Sequence, residues 1–382
     1  MQAQARPCVR RLPSWGQGVS RLTESQVDLA VWEPVSDSQW APPRPMPLTW
    51  SVLAPVLEAA QRQTAQALKD VVKTDVSASA QWQLVAGQAY RRRETALVAD
   101  AESAGRGGLL AQVGLVNRGS KTLLAAAAAA PDRCQRVQRW YARVRETRWG
   151  QAELLQVMEE IEPYGIVALS TWGQMQIAWQ ESSNDVIQAQ KEAWPEASPA
   201  EVTALVTPVS GYELALSRVA RGMDGREDFI NRYGHRSASE SELSSPRWRE
   251  DPAKLNAQLA LISVTPDSDP LARLTRVEQK LLERLRFLRR RSVEALLQSR
   301  RRFGELLDQA DDARAFWLAA ARMWTLAAAQ EALADQRLRE TSDIFFLELE
   351  EVKQLMTGEW NVTHRQQLVE LVAARRALAA PG

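Results

Sequence analysis

Cysteine and histidine are nearly missing from this sequence, at two of each in 382 residues. Cys8 and Cys134 alone build neither a disulfide framework nor a zinc cluster, and the chain reads as one kept in a reducing compartment. A surplus of either charge is missing too, since 48 Lys and Arg face 47 Asp and Glu. That balance removes any global argument for nucleic acid or a membrane as partner. Long apolar runs are also lacking. The longest, Leu123 to Ala130, falls far short of the roughly 20 residues a spanning helix needs. The N-terminal arginines precede no apolar stretch, so no secretory signal is read there, and Asn361-Val-Thr363 is taken as a chance glycosylation match. The cytoplasm is the expected location.

Strand-like alternation is the last absence, so the expected class is mainly α: multi-helix bundle subdomains behind an extended Pro-rich N-terminal lead-in. The length suggests two or three domains, drawn as a lead-in over 1–47, a helical part over 48–252 and a long-helix bundle over 253–382. Seven prolines from Pro7 to Pro47 break up the lead-in. Apolar spacing predicts a helix from Leu48 toward Val72, with Thr49 or Ser51 as N-cap, and another over 78–101. The glycines from Gly105 to Gly119 predict a turn between two helices. Further helices are expected over 133–147, 150–161, 163–180, 212–221, 256–262, 271–307, 311–336, 348–356 and 362–378. Asp343-Ile-Phe-Phe-Leu347 reads as a brief extended piece.

Gly114-Leu-Val-Asn-Arg-Gly119-Ser-Lys121 is one residue out of register with a phosphate-binding loop and follows no strand, so the turn is preferred. The stripe Leu274, Val277, Leu281, Leu285 and Leu288 leaves a basic opposite face with Arg284, Arg286, Arg289 to Arg291 and Arg300 to Arg302. Without aromatic interleaving it reads as a solvated face or an intersubunit contact. Trp140, Trp149, Trp172 and Trp179 fit a helical core, or a cluster lining a pocket.

The densest chemistry lies in Tyr233-Gly-His-Arg236, followed by Glu240, Glu242 and Pro246-Arg-Trp-Arg-Glu-Asp-Pro252. A helix ends there, Gly234 supplies a turn, and two prolines hold the chain around Arg247 and Arg249. Such a loop offers forked donors to phosphate or carboxylate. A salt-bridged helix connection has the same composition.

These phrases resemble the central, acceptor-binding domain of rifampicin phosphotransferase and related phosphoenolpyruvate-synthase-like dikinases. Three more stretches match in the family's order. Pro45-Met-Pro-Leu-Thr-Trp-Ser51 resembles its "TPLTWS", and Asp343-Ile-Phe-Phe-Leu347 with Glu350 and Glu351 resembles "DIYYLTFEEL". Gln4-Ala-Arg6-Pro7 resembles the "QARP" that closes the ATP-grasp domain, where Gln4 and Arg6 would lie near nucleotide phosphates.

The resemblance implies a three-part machine. An ATP-grasp domain phosphorylates a histidine on a swivelling domain, which carries the phosphoryl group to an acceptor in the helical domain. Here both other domains are expected on separate chains, or beyond a split reading frame, because no phrase resembles the phosphorylated histidine. ATP and Mg would then act through the partner protein, with no cofactor or metal held by this chain alone. The expected acceptor is a small hydroxyl compound or a pyruvate-like one. Arg236, Arg247 and Arg314 would clamp charge, His235 would orient or handle a proton, and Glu240 would be its partner or the acceptor's base. Asp311-Asp-Ala-Arg314 resembles the family's "REnpKyy" with Arg314 in the Lys place and Ala310 in the Arg place, and Ser237 stands where glycine is common. Those departures keep open a catalytically inactive ligand-binding or scaffold protein of the same descent.

Overall fold

The computed structural model describes residues 32–36, 40–71, 81–85, 87–92, 109–262, 269–360 and 364–379, with side chains at 109–120, 288 and 379 excepted. Gln4, Arg6 and most of the Pro-rich lead-in lie outside the described residues.

Helices dominate, as the composition requires, and the class is mainly α. In chain order the elements are β1 (Trp32–Pro34), α1 (Pro47–Ala67), β2 (Trp82–Val85), β3 (Gln88–Arg92), α2 (Leu109–Glu146), α3 (Gln151–Ala193), α4 (Pro199–Val206) and α5 (Gly211–Ala220). Then follow α6 (Arg226–Tyr233), α7 (Pro252–Leu261), α8 (Pro270–Glu283), α9 (Phe287–Ala334), a 3-10 helix at Thr341–Phe346, α10 (Leu349–Met356) and α11 (Arg365–Ala379).

Several boundaries differ from the sequence expectation. A helix was expected over 78–101, yet β2 and β3 pair antiparallel around Gly87, at φ +79, and β1 joins β3 on its other side. The expected turn near Gly114 and Gly119 is absent, because α2 runs through both and through Pro131. Each helical glycine costs only about 1 kcal/mol, too little to end a helix. Likewise α3 crosses Pro163, held between α1 and α9. Arg284 to Arg286 separate α8 from α9, and α9 continues where two helices were expected. The Asp343 phrase coils as 3-10 rather than extending. Met46, not Thr49 or Ser51, caps α1, with Pro47 in its first turn.

The main core joins α1, α2, α3 and the second half of α9. Trp317 and Trp324 of α9 are fully buried, and their indole N–H groups donate to the carbonyls of Ile161 and Leu154 on α3 at 2.8 and 2.9 Å. Gly165 permits that approach, since a Cβ there would lie 2.5 Å from the Trp317 ring. A satellite core lies where α3 ends, with Val186 and Trp194 packed against Leu205 of α4, Val277 and Leu281 of α8, and Val293 and Leu297 of α9. A third core gathers α5, α6 and α7 around Trp248.

Candidate functional site

The Tyr233–Pro252 loop is built around Trp248, buried against Leu216, Phe229 and Leu255, with its indole donating to Tyr212 Oη at 3.1 Å. Trp248 N and Arg249 N donate to the carbonyls of Arg236 and Gly234 at 2.8 and 3.0 Å, closing the loop on itself. Gly234 has φ −63, so its left-handed freedom is not used. Close approach explains it better: a Cβ would meet Ile230 O at 2.3 Å and Arg249 Cβ at 3.1 Å.

The loop also ties together phrases far apart in sequence. Thr49 Oγ1 and Met46 N donate to the Glu242 carboxylate at 2.5 and 3.1 Å, while Leu243 N donates to Thr49 Oγ1 at 3.1 Å. Leu349 N donates to Ser51 Oγ at 2.8 Å. Arg322 of α9 reaches Glu250 and the Leu243 carbonyl.

Three buried arginines then divide by partner. Arg236 donates to Asp311 at 2.7 Å, Asp312 at 2.7 Å and Glu240 at 3.1 Å. Arg314 donates to Asp311 at 2.8 Å and Glu240 at 2.9 Å, and lies over the Trp172 ring at 5.1 Å. The carboxylates Asp311 and Glu240 thus bridge two guanidinium groups. Despite burial, Arg314 and Arg236 together hold Asp311 below the usual carboxylate range. Arg247 instead donates to Ser237 Oγ and the Glu240 carbonyl, both at 2.9 Å, and burial pushes its pKa down to about 10.

His235 stacks on Phe316 with ring centroids 4.0 Å apart, near Tyr141 at 6.0 Å. Its Nε2 is 3.6 Å from Asp312, outside hydrogen-bond reach. The carboxylate it faces is therefore Asp312, while Glu240, its expected partner, is engaged with Arg236 and Arg314. Burial lowers the His235 pKa, with Asp312 opposing.

Beside the bridged cluster opens a cleft of about 560 Å³. α3 contributes Trp172, Gln176 and Trp179, and α5 contributes Tyr212, Glu213 and Leu216. The loop brings Arg236 and Glu240, and α9 brings Gly304, Leu307, Asp308, Asp311 and Arg314. Arg236, Glu240 and Arg314 therefore share the cleft wall, whereas His235 and Arg247 are buried beside the loop and do not line it. Ala310 is fully buried in the main core, and Ser237 lines the cleft. Among the described residues, no group of three or more His, Cys, Asp or Glu side chains has metal-holding geometry.

Sequence reasoning missed Glu213 and Asp308 altogether and quoted Asp311 without a role. The three-residue steps from Asp308 to Asp311 to Arg314 place them on one helical face, a signal that was available. Their union with Arg236, distant in the chain, had none. The expected basic face is largely neutralised: Arg300 and Arg301 pair with Glu278, Arg284 with Glu196, Arg289 with Glu192 and Arg290 with Glu294.

Residues 196–319 match the family model of the rifampicin phosphotransferase fourth domain. The match runs from the start of α4 into α9 and contains every cleft residue except Trp172, Gln176 and Trp179. No curated protein matches the chain. The chain therefore carries a domain similar to that one, which supports a phosphoenolpyruvate-utilising, rifampicin phosphotransferase-like character.

Proposed function

We propose that this chain is the acceptor-binding part of such a phosphotransferase, and that the cleft holds the acceptor. One observation carries the reading: the matched segment folds so that its arginines and carboxylates converge on a ligand-sized cleft with tryptophan in its wall. The phosphoryl group would come from a phosphohistidine on a swivelling domain, charged in turn by an ATP-grasp domain using ATP and Mg. Arg236 and Arg314 would face charge on the moving group, and Glu240, held by both, would take the acceptor's proton. His235, stacked on Phe316, would support the loop from behind rather than touch the acceptor. Arg247 ties Ser237 to the Glu240 backbone and so fixes the loop.

The test is AMP release when the chain is mixed with ATP, Mg, an ATP-grasp protein and a phosphohistidine-domain protein, over a panel of alcohols and pyruvate. Turnover that depends on this chain and falls with Arg314→Ala supports the reading. No AMP with any acceptor sinks it.

A second reading is supported by Ala310, which is buried where the resembling family carries arginine, and by the saturation of both cleft arginines with carboxylates. In it the cleft binds a ligand without transfer. Thermal stabilisation by a ligand that survives both His235→Ala and Arg314→Ala, with no turnover, would select it.

A further inference from the structure

Four carboxylates and two guanidinium groups line the cleft, with Glu213, Glu240, Asp308 and Asp311 against Arg236 and Arg314. Both guanidinium groups are already taken. Asp311 and Glu240 contact each of them, and Asp312 adds a further carboxylate to Arg236. An anionic ligand would have to displace a carboxylate from a buried arginine, leaving that carboxylate without its partner.

The other two acids form no ion pair among the described residues. Asp308 accepts from neutral donors, Ser210 Oγ at 2.9 Å and Gly211 N at 3.0 Å. Glu213 stands on α5 across from it in the same wall. Desolvation pushes both carboxyl groups above their usual range, Asp308 within the wall and Glu213 at its exposed rim, and the like charges of Asp311 and Asp308 add to the effect at Glu213. Ionised carboxylates so placed gain most from a positive charge brought between them and the solvent.

The rest of the wall is suited to a flat apolar body. Half-buried Trp179, with Leu307 beside it, supplies its surface, whereas Trp172 is buried and already covered by Trp40 and Arg314. Gly304 faces Trp179, and a Cβ there would make only an ordinary contact with the indole at 3.6 Å.

Resting on the reading of the cleft as an acceptor site, we infer that its ligand is an amphiphilic amine: a ring-bearing hydroxyl compound with one protonated nitrogen, seated on the Asp308 and Glu213 side. Charge selects the ligand, and Trp179 with Leu307 holds its ring.

Calorimetry on the full chain with three probes of similar shape tests this. Propranolol is an aryl amino alcohol with a protonated nitrogen, N-acetylpropranolol is its neutral form, and (1-naphthyloxy)acetic acid carries the opposite charge. Propranolol is expected to bind at least about tenfold more tightly than the neutral form, with the acid weakest. Glu213→Gln, at an exposed position, should shrink that ratio, and so should Asp308→Asn. Both together should bring it near unity.

Equal binding of the first two, tightest binding by the acid, or no binding of propranolol overturns the inference. AMP release in the reconstituted mixture scores the acceptor reading separately. Turnover of neutral alcohols without an amine preference sinks the inference alone. An amine preference without turnover of any acceptor sinks the acceptor reading alone.

Discussion

Two buried charge clusters sit on the same helix, α9, and they behave differently. Near its start, Arg300 is enclosed with Glu278 of α8, and both side chains are nearly inaccessible at 3% and 2% exposed. Further along, Arg236 and Arg314 share Asp311 and Glu240 beside an open cleft, and Asp312 joins them at Arg236. In the first cluster the buried arginine has one carboxylate and one carbonyl, that of Leu205. In the second, every bridging group has at least two partners of opposite charge. Arginine and carboxylate in a core therefore do not by themselves mark a site. A surplus of acid and an adjoining cavity set the second cluster apart.

The largest expected effect breaks the closed cluster. Glu278→Ala strands Arg300 without a counter-charge, and should cost about 3–5 kcal/mol in denaturant unfolding while leaving propranolol affinity unchanged. Arg236→Met should cost less, about 1–3 kcal/mol, because Arg314 still partners Asp311 and Glu240, but it should alter probe binding in the cleft. If the two variants lost equal stability and equal affinity, the contrast between the clusters would collapse.

A smaller effect reports on His235, whose folded pKa lies below its unfolded one near 6.5. Above about pH 6.5 the ring is neutral in both states. Below it the unfolded chain takes up a proton that the folded chain resists, so stability falls as pH drops, by at most about 1.4 kcal/mol per unit. His235→Phe should flatten that slope in unfolding titrations between about pH 5 and 6.5. A slope unchanged by the substitution would show that the ring is accessible to protons in the fold. Smallest of all, Arg290→Ala removes an exposed pair with Glu294 and should shift stability by no more than about 0.5 kcal/mol. A larger loss would mean that the basic stretch is packed rather than solvated.

The helical class was legible because Leu, Val and Ala recur at three- and four-residue steps through most of the chain. Helix ends were less so. Pro131 and Pro163 read as breaks, yet packing on neighbouring helices overrides a single lost hydrogen bond, and the Ile-Phe-Phe run at 344–346 has strand-like residues in a 3-10 coil. The strands at 82–92 were missed because each is only a few residues long, with Gly87 as the sole turn signal. At the site, Arg236 and Glu240 stood out in the dense run of charge that follows a helix end, whereas Arg314, in the middle of α9, stood out only through the resemblance of Asp311-Asp-Ala-Arg314 to the family's phrase. Their mutual contact could not be read, since it depends on how α6 and the loop after it fold back on α9. His235 drew notice by rarity, but rarity says nothing about whether a ring faces a cavity or, as here, a phenyl ring.

Helix α9 carries Leu297 in the satellite core, Gly304, Asp308, Asp311 and Arg314 along the cleft, and Trp317 and Trp324 in the main core, all in one unbroken register. Each residue of an α-helix advances by about 100°. Deleting or inserting one residue between Leu297 and Trp317 would thus turn one core away from its partners while the other stayed in place. Point substitution on α9, or longer connections around α5, α6 and α7, would by contrast reshape the cleft wall while leaving both cores in register.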